Sequence, residues 1–374
     1  MQDIGRIGFS EAQGDLLESA TAFCRDVSPV AKVRALMTDE VGYDPAVWAQ
    51  IGELGWLAIA IPEAFGGLGL ELGDVVPVVE QMGRRLLAGP FVPSTLAAQA
   101  LIAGGTEAQK EAILPLIAAG APAALALMEA AGDWNLETVT ATAGADGTSG
   151  LVLSGTKILV EGAADADWII ASVLHEGAPA LVLIETSELP FAALRREAIV
   201  DETRRAYSLC LDGIVLPEAH LLDQTRAAAT LAHLHLAANL LACAEMCGGT
   251  QAAIDDTVDY AKTRVQFGKP IGAYQAVKHP VVDAYVRYEQ ARSHLYSAAH
   301  CFNEQGTGEI AVRMAKAEAD AAFSFAADRA IQFHGGFGFT YDCDAQLYRR
   351  RAIWCAAQHG DRAFHKKKLA ELLF

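Results

Sequence analysis

"RAAATLAHLHLAANLLACAEMCGGTQAAIDDTVDYAKTRVQFG" (residues 226–268) decides how the rest of the chain is read. Its apolar residues return at three- and four-residue steps with no proline, so it predicts a single helix of about 35 residues, longer than an ordinary globular helix. Two more stretches of similar length and period follow. They are "AYQAVKHPVVDAYVRYEQARSHLYSAAHCFNEQG" (273–306) and "GEIAVRMAKAEADAAFSFAADRAIQFHGG" (308–336). Long helices in succession bury their apolar stripes against one another as an antiparallel bundle. Residues 223–374 are therefore expected to form a C-terminal four-helix bundle.

Upstream, residues 121–222 change character. "LALMEA", "TVTATAG", "GLVLSGTKILVEG", "DWIIASVL" and "PALVLIET" are short runs rich in Val, Ile, Leu and Thr, divided by Gly and Asp at strand-plus-turn spacing. That pattern belongs to an antiparallel sandwich or barrel, with "GADGTSG" (144–150) as a hairpin turn. Residues 1–120 read as helices again. "DPAVWAQIGELGWLAIA" opens on an Asp N-cap followed by Pro, and "TEAQKEAILPLIAAG" opens on a Thr cap and closes on Gly. The fold class expected is mainly α with a central β-domain: an N-terminal helical domain (1–120), a middle β-domain (121–222) and the bundle.

Composition narrows the function. The chain has 374 residues and a formal charge of −17, against the clustered cations that nucleic-acid binding requires. No uninterrupted apolar run of about 18 residues stands out, so no membrane span is expected. "MQDIGRIGFSEAQGDLL" has no basic segment leading into an apolar one, so it does not read as a signal peptide. The seven cysteines are odd in number and scattered, which fits a reducing cytoplasm and no disulfide framework. Cys243 and Cys247 share a helix face without a second pair to complete a metal set, and no metal is expected.

No P-loop, HExxH or G-x-S-x-G motif occurs, and the glycines of "AFGGLGLELG" do not follow a strand of a βαβ unit. Two other stretches carry more. In "YAKTRVQFGKPIGAYQAVKHP" (260–280) a helix is expected to end near Phe267–Gly268 and another to start near Gln275. Arg264 suits a pyrophosphate as a bidentate donor, and Phe267 offers a stacking face; equally, Arg264 suits the negative end of a helix dipole. In "AIQFHGGFGFT" (330–340) consecutive glycines let backbone amides approach an anion that Gln332 also reaches, or simply cap a helix.

Taken together these stretches resemble the acyl-CoA dehydrogenase family, in its divergent bacterial members found in hetero-oligomers. The family's R-x-x-F-G-x-x-[IL] segment, the Gln beyond it and the later Q-x-x-G-G-x-G-[FY] segment match Arg264, Phe267, Gly268, Gln275, Gln332, Gly335, Gly336 and Gly338. "PEAFGGLGL" (62–70) and "LSGTKILVEGAADADWII" (153–170), with Lys157 and Trp168 in register, are similar to its other segments. The resemblance implies an FAD enzyme that oxidises an acyl-CoA to a 2-enoyl-CoA. A carboxylate takes the α-proton and the β-hydrogen leaves as hydride to the flavin. It also implies electron-transfer flavoprotein as electron acceptor and a dimer or tetramer with itself or a related subunit, in which Arg264 and Phe267 serve a neighbouring subunit's FAD. Leu127, Met128 and Leu159 fall where the β-domain meets the flavin.

Several family positions are altered. The tryptophan and threonine that flank the flavin ring correspond to Leu159 and Glu161. The usual position of the base holds Gln358, which accepts no proton at neutral pH, and the alternative position on the first bundle helix holds Ala238, followed by Asn239. Two carboxylates remain as candidate bases. Glu245 lies in the apolar run "LAANLLACAEMCGG" and is either a base or the partner of an arginine on another helix. Asp361 is either a base or the N-cap of the last helix, "DRAFHKKKLAELLF". Ala238, Ala356 and Ala357 leave room for a branched, cyclic or steroid-like acyl group. A subunit that only lends residues to another chain's FAD, or a related oxidase or hydroxylase, are the alternatives.

Overall fold

The computed structural model describes residues 10–374 apart from 133, 137, 146, 148 and 149. Six helices come first: α1 (Glu11–Val27), α2 (Val30–Met37), α3 (Pro45–Glu53), α4 (Val76–Arg85), α5 (Phe91–Gly104) and α6 (Glu107–Ala118). Nine strands follow: β1 (Ala123–Ala126), β2 (Thr142–Ala145), β3 (Gly150–Ser154), β4 (Thr156–Glu161), β5 (Trp168–His175), β6 (Ala178–Glu185), β7 (Leu194–Arg196), β8 (Ala206–Cys210) and β9 (Val215–Pro217). The chain ends with α7 (Ala227–Thr263), the short pair β10 (Val265–Gln266) and β11 (Lys269–Pro270), α8 (Gln275–His300), α9 (Thr307–His334), α10 (Ala345–Ala357) and α11 (Arg362–Leu373). This is the helix–sheet–helix order expected of the sequence. Two compact units result, and α7 runs through the division between Ala238 and Asn239.

One unit gathers the described residues up to Ala35, Leu72–Leu87 and Asn239–Phe374. Within it α9 packs on α8, α10 and α11, and α1 on α4. The heart of this bundle is small: Ala298, Ala315, Ala319 and Ala326 are buried beside Leu295, Val312 and Phe323. Short side chains let helices approach closely, and Gly249 shows how closely, since a Cβ there would lie 2.4 Å from the Phe323 ring. Buried charges tie the bundle laterally. Glu80 on α4 accepts from Arg292 Nε at 2.7 Å and from the Tyr296 hydroxyl at 2.6 Å, both on α8.

The other unit holds Leu36–Glu71 and Ala88–Ala238. Its larger sheet runs β1-β5-β2-β3-β9 with β6 beside β5, and its smaller one runs β4-β8-β7. The middle domain was expected to be antiparallel, and most pairings are. Yet β1 and β2 both pair parallel with β5, because the chain between β1 and β5 makes a long crossover instead of a hairpin. Inward residues of both sheets, among them Leu153, Val160, Ile169, Val182 and Leu209, form one core. Helices α5 and α6 cover a second one with Ile170 and Leu183. The strands β2 and β3 flank the expected "GADGTSG" turn in antiparallel register, while three of its residues lie outside those described.

Residues 224–263, which include α7, are long and apolar enough on composition alone to cross a membrane. The most apolar window is 67% buried inside the protein, as the core helix of a soluble bundle would be.

Candidate functional site

Helix α7 stops at Thr263, slightly before the expected end, because the chain turns at once into the β10–β11 hairpin. The two turn residues, Phe267 (φ 51°) and Gly268 (φ 80°), are both left-handed, as the tightest two-residue hairpin demands. A bulky residue tolerates that conformation only at a cost, which marks Phe267 as held for a purpose. Its ring is 92% exposed and braced edge-on by Tyr274 at 6.4 Å. Arg264 stands exposed at the base of the hairpin, and among the described residues it carries no ion pair. Gln275 is exposed at the first turn of α8.

The same unit carries the glycine turn. Helix α9 ends at His334, whose ring stacks on Tyr260 of α7 at 4.1 Å, so the turn leaves from a fixed point. Gly335 takes φ 64°, and a Cβ on either Gly335 or Gly336 would meet nothing within 4 Å. Gly335 N–H caps α9 by donating to Gln332 O, and the exposed Gln332 side chain stands one turn earlier.

In the other unit, Leu127, Met128 and Leu159 come together. Ile158 N–H donates to Met128 O at 2.9 Å, joining the end of β1 to β4 where β4 bulges and Leu159 turns left-handed (φ 53°). Beneath this patch lies a pair that the sequence did not disclose. Lys157, fully buried, donates to Glu129 Oε1 at 2.6 Å and Ser172 Oγ at 2.9 Å. Glu129 also accepts from the Thr140 and Ala141 amides. Burial by itself would raise the Glu129 carboxyl, but Lys157, Thr140 and Ala141 together hold it at about 2, below its ordinary 4.5. A carboxyl depressed in the fold lends stability that is complete above 4.5 and disappears as pH falls toward 2. Lys157→Met is therefore expected to flatten the acid limb of the unfolding profile in that window, and an unchanged limb would place the acid sensitivity elsewhere.

The two candidate bases meet different fates. Glu245, on α7, is buried, and its Oε1 accepts from Arg351 Nη1 of α10, while Oε2 lies 3.9 Å from Cys355 Sγ. A carboxylate so bonded must break an ion pair before it takes a proton. Asp361 caps α11, accepting from Phe364 N at 2.8 Å. Asp361→Ala is expected to cost about 1 kcal/mol of stability by thermal melting, the usual price of a lost N-cap.

Gln358, also buried, is the C-cap residue of α10. The turn that carries it is gripped by Lys316, a fully buried lysine of α9. Its ammonium donates to the carbonyls of Cys355 and Gln358 at 3.0 Å each and of Gly360 at 3.1 Å. All three protons of the ammonium find acceptors, which lets a cation sit in the core. The intervening His359 is left-handed (φ 56°), and its carbonyl accepts from Asn239 Nδ2 at 3.1 Å. Only "MAK" in an apolar helical stretch hinted at Lys316, since a lysine there must find a partner or snorkel.

Within one unit a guanidinium, an amide side chain and an exposed aromatic face suit a pyrophosphate and a stacked ring, and within the other an apolar patch suits a flat ring. Among the described residues no cluster of acidic, Cys or His side chains could hold a metal ion.

Comparison with known proteins agrees. Residues 10–121 match the model of the acyl-CoA dehydrogenase N-terminal domain, and residues 230–373 match that of the acyl-CoA dehydrogenase C-terminal domain. The chain is 32% identical over 336 residues to the acyl-CoA dehydrogenase IpdE2 of Mycobacterium tuberculosis, covering 89% of this chain and 88% of that one. Among solved structures, a variant of the Tcur3481-Tcur3483 steroid ACAD is 28% identical with a TM-score of 0.87, covering 97% of this chain and 98% of that one. The ChsE4-ChsE5 complex from Mycobacterium tuberculosis is 26% identical with a TM-score of 0.87, covering 98% of each. The chain belongs to the acyl-CoA dehydrogenase family, and is a flavoprotein oxidoreductase with FAD as its cofactor.

Proposed function

We propose that the protein desaturates an acyl-CoA thioester between its α and β carbons. The observation that carries this reading is an exposed, left-handed Phe267 and an exposed Arg264 on one hairpin, in the same unit as a Gly335–Gly336 turn where a Cβ would meet nothing within 4 Å. Arg264 would hold the pyrophosphate of a neighbouring subunit's FAD, with Gln332 reaching the same anion, and Phe267 would stack on that FAD. Leu127, Met128 and Leu159 would face a flavin ring, braced from below by Glu129 and Lys157. FAD, when bound, supplies a hydride acceptor for the β-hydrogen. The α-hydrogen would leave as a proton, and the electron pair of its C–H bond would become the new double bond as the β-hydrogen departs with its own pair. Electron-transfer flavoprotein is the acceptor that suits such a cycle. The steroid ACAD among the similar structures, and the short side chains of Ala356 and Ala357, support a branched or cyclic acyl group. Strict selectivity for short linear acyl-CoAs would count against that choice.

The proton needs a base, and here a second reading has support of its own. Gln358 is no base, Asp361 caps a helix and Glu245 holds Arg351. These commitments favour a carboxylate brought by a related subunit in a hetero-oligomer, to which this chain contributes its cofactor contacts. The discriminating experiment is anaerobic titration with acyl-CoA of the chain purified by itself and of the chain co-expressed with a homologous subunit. Bleaching of the flavin in the chain alone supports a base within it. Bleaching only in the pair supports the shared site.

A further inference from the structure

We propose that α8 packs antiparallel on the α8 of a second copy of this chain, about a two-fold axis that passes between Val282 and Val286. The contact depends on neither FAD nor substrate. One face of α8 is already covered: Ala284, Tyr288, Ala291 and Leu295 are buried, and the helix packs on α9. The opposite face carries Val282 and Val286, which are 59% and 48% exposed. Residues four apart lie one above the other on a helix, so the two valines form one apolar ridge in water.

The charges beside the ridge select what covers it. Asp283 and Arg287 flank the valines and are both exposed. They stand one turn apart, where a carboxylate and a guanidinium ordinarily pair, yet they do not meet. Arg287 instead lays its guanidinium over the Phe325 ring of α9, 4.7 Å from the centroid. Arg329 of α9 lies over the same ring at 5.1 Å, and its Nε is buried without a hydrogen-bond partner. Among the described residues Asp283, Arg287 and Arg329 carry no ion pair. Two guanidiniums gathered on one ring repel each other and attract a carboxylate from outside the chain. A second copy supplies it. In an antiparallel helix pair like flanks face each other, and the two-fold axis makes every contact occur twice. Val282 with Val286 and Asp283 with Arg287 have the same four-residue spacing, so nearly one register satisfies both pairs. A hetero-oligomer with a related subunit would then hold two copies of this chain.

Charge reversal tests the contact, with self-association of the full chain followed by sedimentation velocity over a concentration series. Asp283→Arg sets cation against cation across the axis, and Arg287→Asp sets anion against anion. Each is expected to weaken self-association roughly tenfold while keeping the parent's melting temperature. Mixed in equal amounts, the two variants bring cations on one helix and anions on the other, so mixed pairs should regain the parent's affinity. Pairing within one helix gives no such rescue, because neither variant holds both charges. Should Arg287→Asp melt early, Val282→Glu puts a charge into the apolar ridge and is expected to weaken association at least as much. A parent that stays monomeric, variants that associate as the parent does, or a mixture no tighter than its components would each overturn the proposal. Association with a related subunit and never with itself would overturn it as well.

Discussion

Gly248→Ala is expected to destabilise the protein by about 3 kcal/mol or more, the largest effect of any single methyl group here. A Cβ at Gly248 would lie 1.8 Å from Glu80 O and 2.6 Å from Arg84 N. Both are backbone atoms of α4, so no rotamer change makes room. One turn away the arrangement is mirrored, for a Cβ at Gly83 of α4 would lie 2.3 Å from Glu245 O of α7. The two helices cross with their backbones in contact, and each supplies the glycine the other needs. The crossing also sets the site. It fixes the turn of α7 that bears Glu245 and buries Glu80, whose carboxylate is committed to Arg292 and Tyr296. A useful contrast is Gly14 in α1, where a Cβ would meet nothing within 4 Å. Gly14→Ala should leave the fold as stable or slightly more so, since alanine is the better helix former. Chemical unfolding of both variants checks the pair, and equal midpoints would mean that α4 and α7 yield.

Glu245→Gln is expected to cost about 3–5 kcal/mol, because it removes the carboxylate that meets the buried Arg351 guanidinium. Arg351 is nearly without solvent contact, and its Nη1 reaches from α10 to the only carboxylate in the apolar run of α7. Removing both charges together in Glu245→Leu/Arg351→Met should recover most of that loss, since a buried ion pair replaced by apolar groups is often neutral. The double variant also separates structure from chemistry. If its flavin still bleaches with acyl-CoA, alone or with a related subunit, Glu245 is an anchor. A stable Glu245→Gln whose flavin no longer bleaches would instead make Glu245 the base.

What the sequence disclosed depended on how local the signal was. The 37-residue α7, and α8 and α9 after it, are written in apolar periodicity that each stretch carries by itself. Strands β1 to β6 were legible for the same reason. By contrast β7, β8 and β9, three to five residues each, stand outside the runs rich in Val, Ile, Leu and Thr that marked the earlier strands, and are held by their pairing with β4, β8 and β3. Phe267 and Gly335 could be picked out as ligand-facing from the motif, but their left-handed backbone could not. The polar partners were hardest. Lys157 finds Glu129 across 28 residues and Lys316 finds Gln358 across 42, distances over which only the folded chain decides who meets whom. For Glu245 and Asp361 the sequence left two roles open each, and the structure shows the hydrogen bonds of the scaffolding role in both.

The most direct test of the whole account is an anaerobic titration of the FAD-loaded protein with acyl-CoA, following the flavin absorbance and the thioester product. Loss of the oxidised flavin band with one 2-enoyl-CoA formed per flavin is the expected result. A flavin that stays oxidised with linear, branched and ring-bearing acyl-CoAs alike, in the chain alone and in its complex with a related subunit, would contradict it.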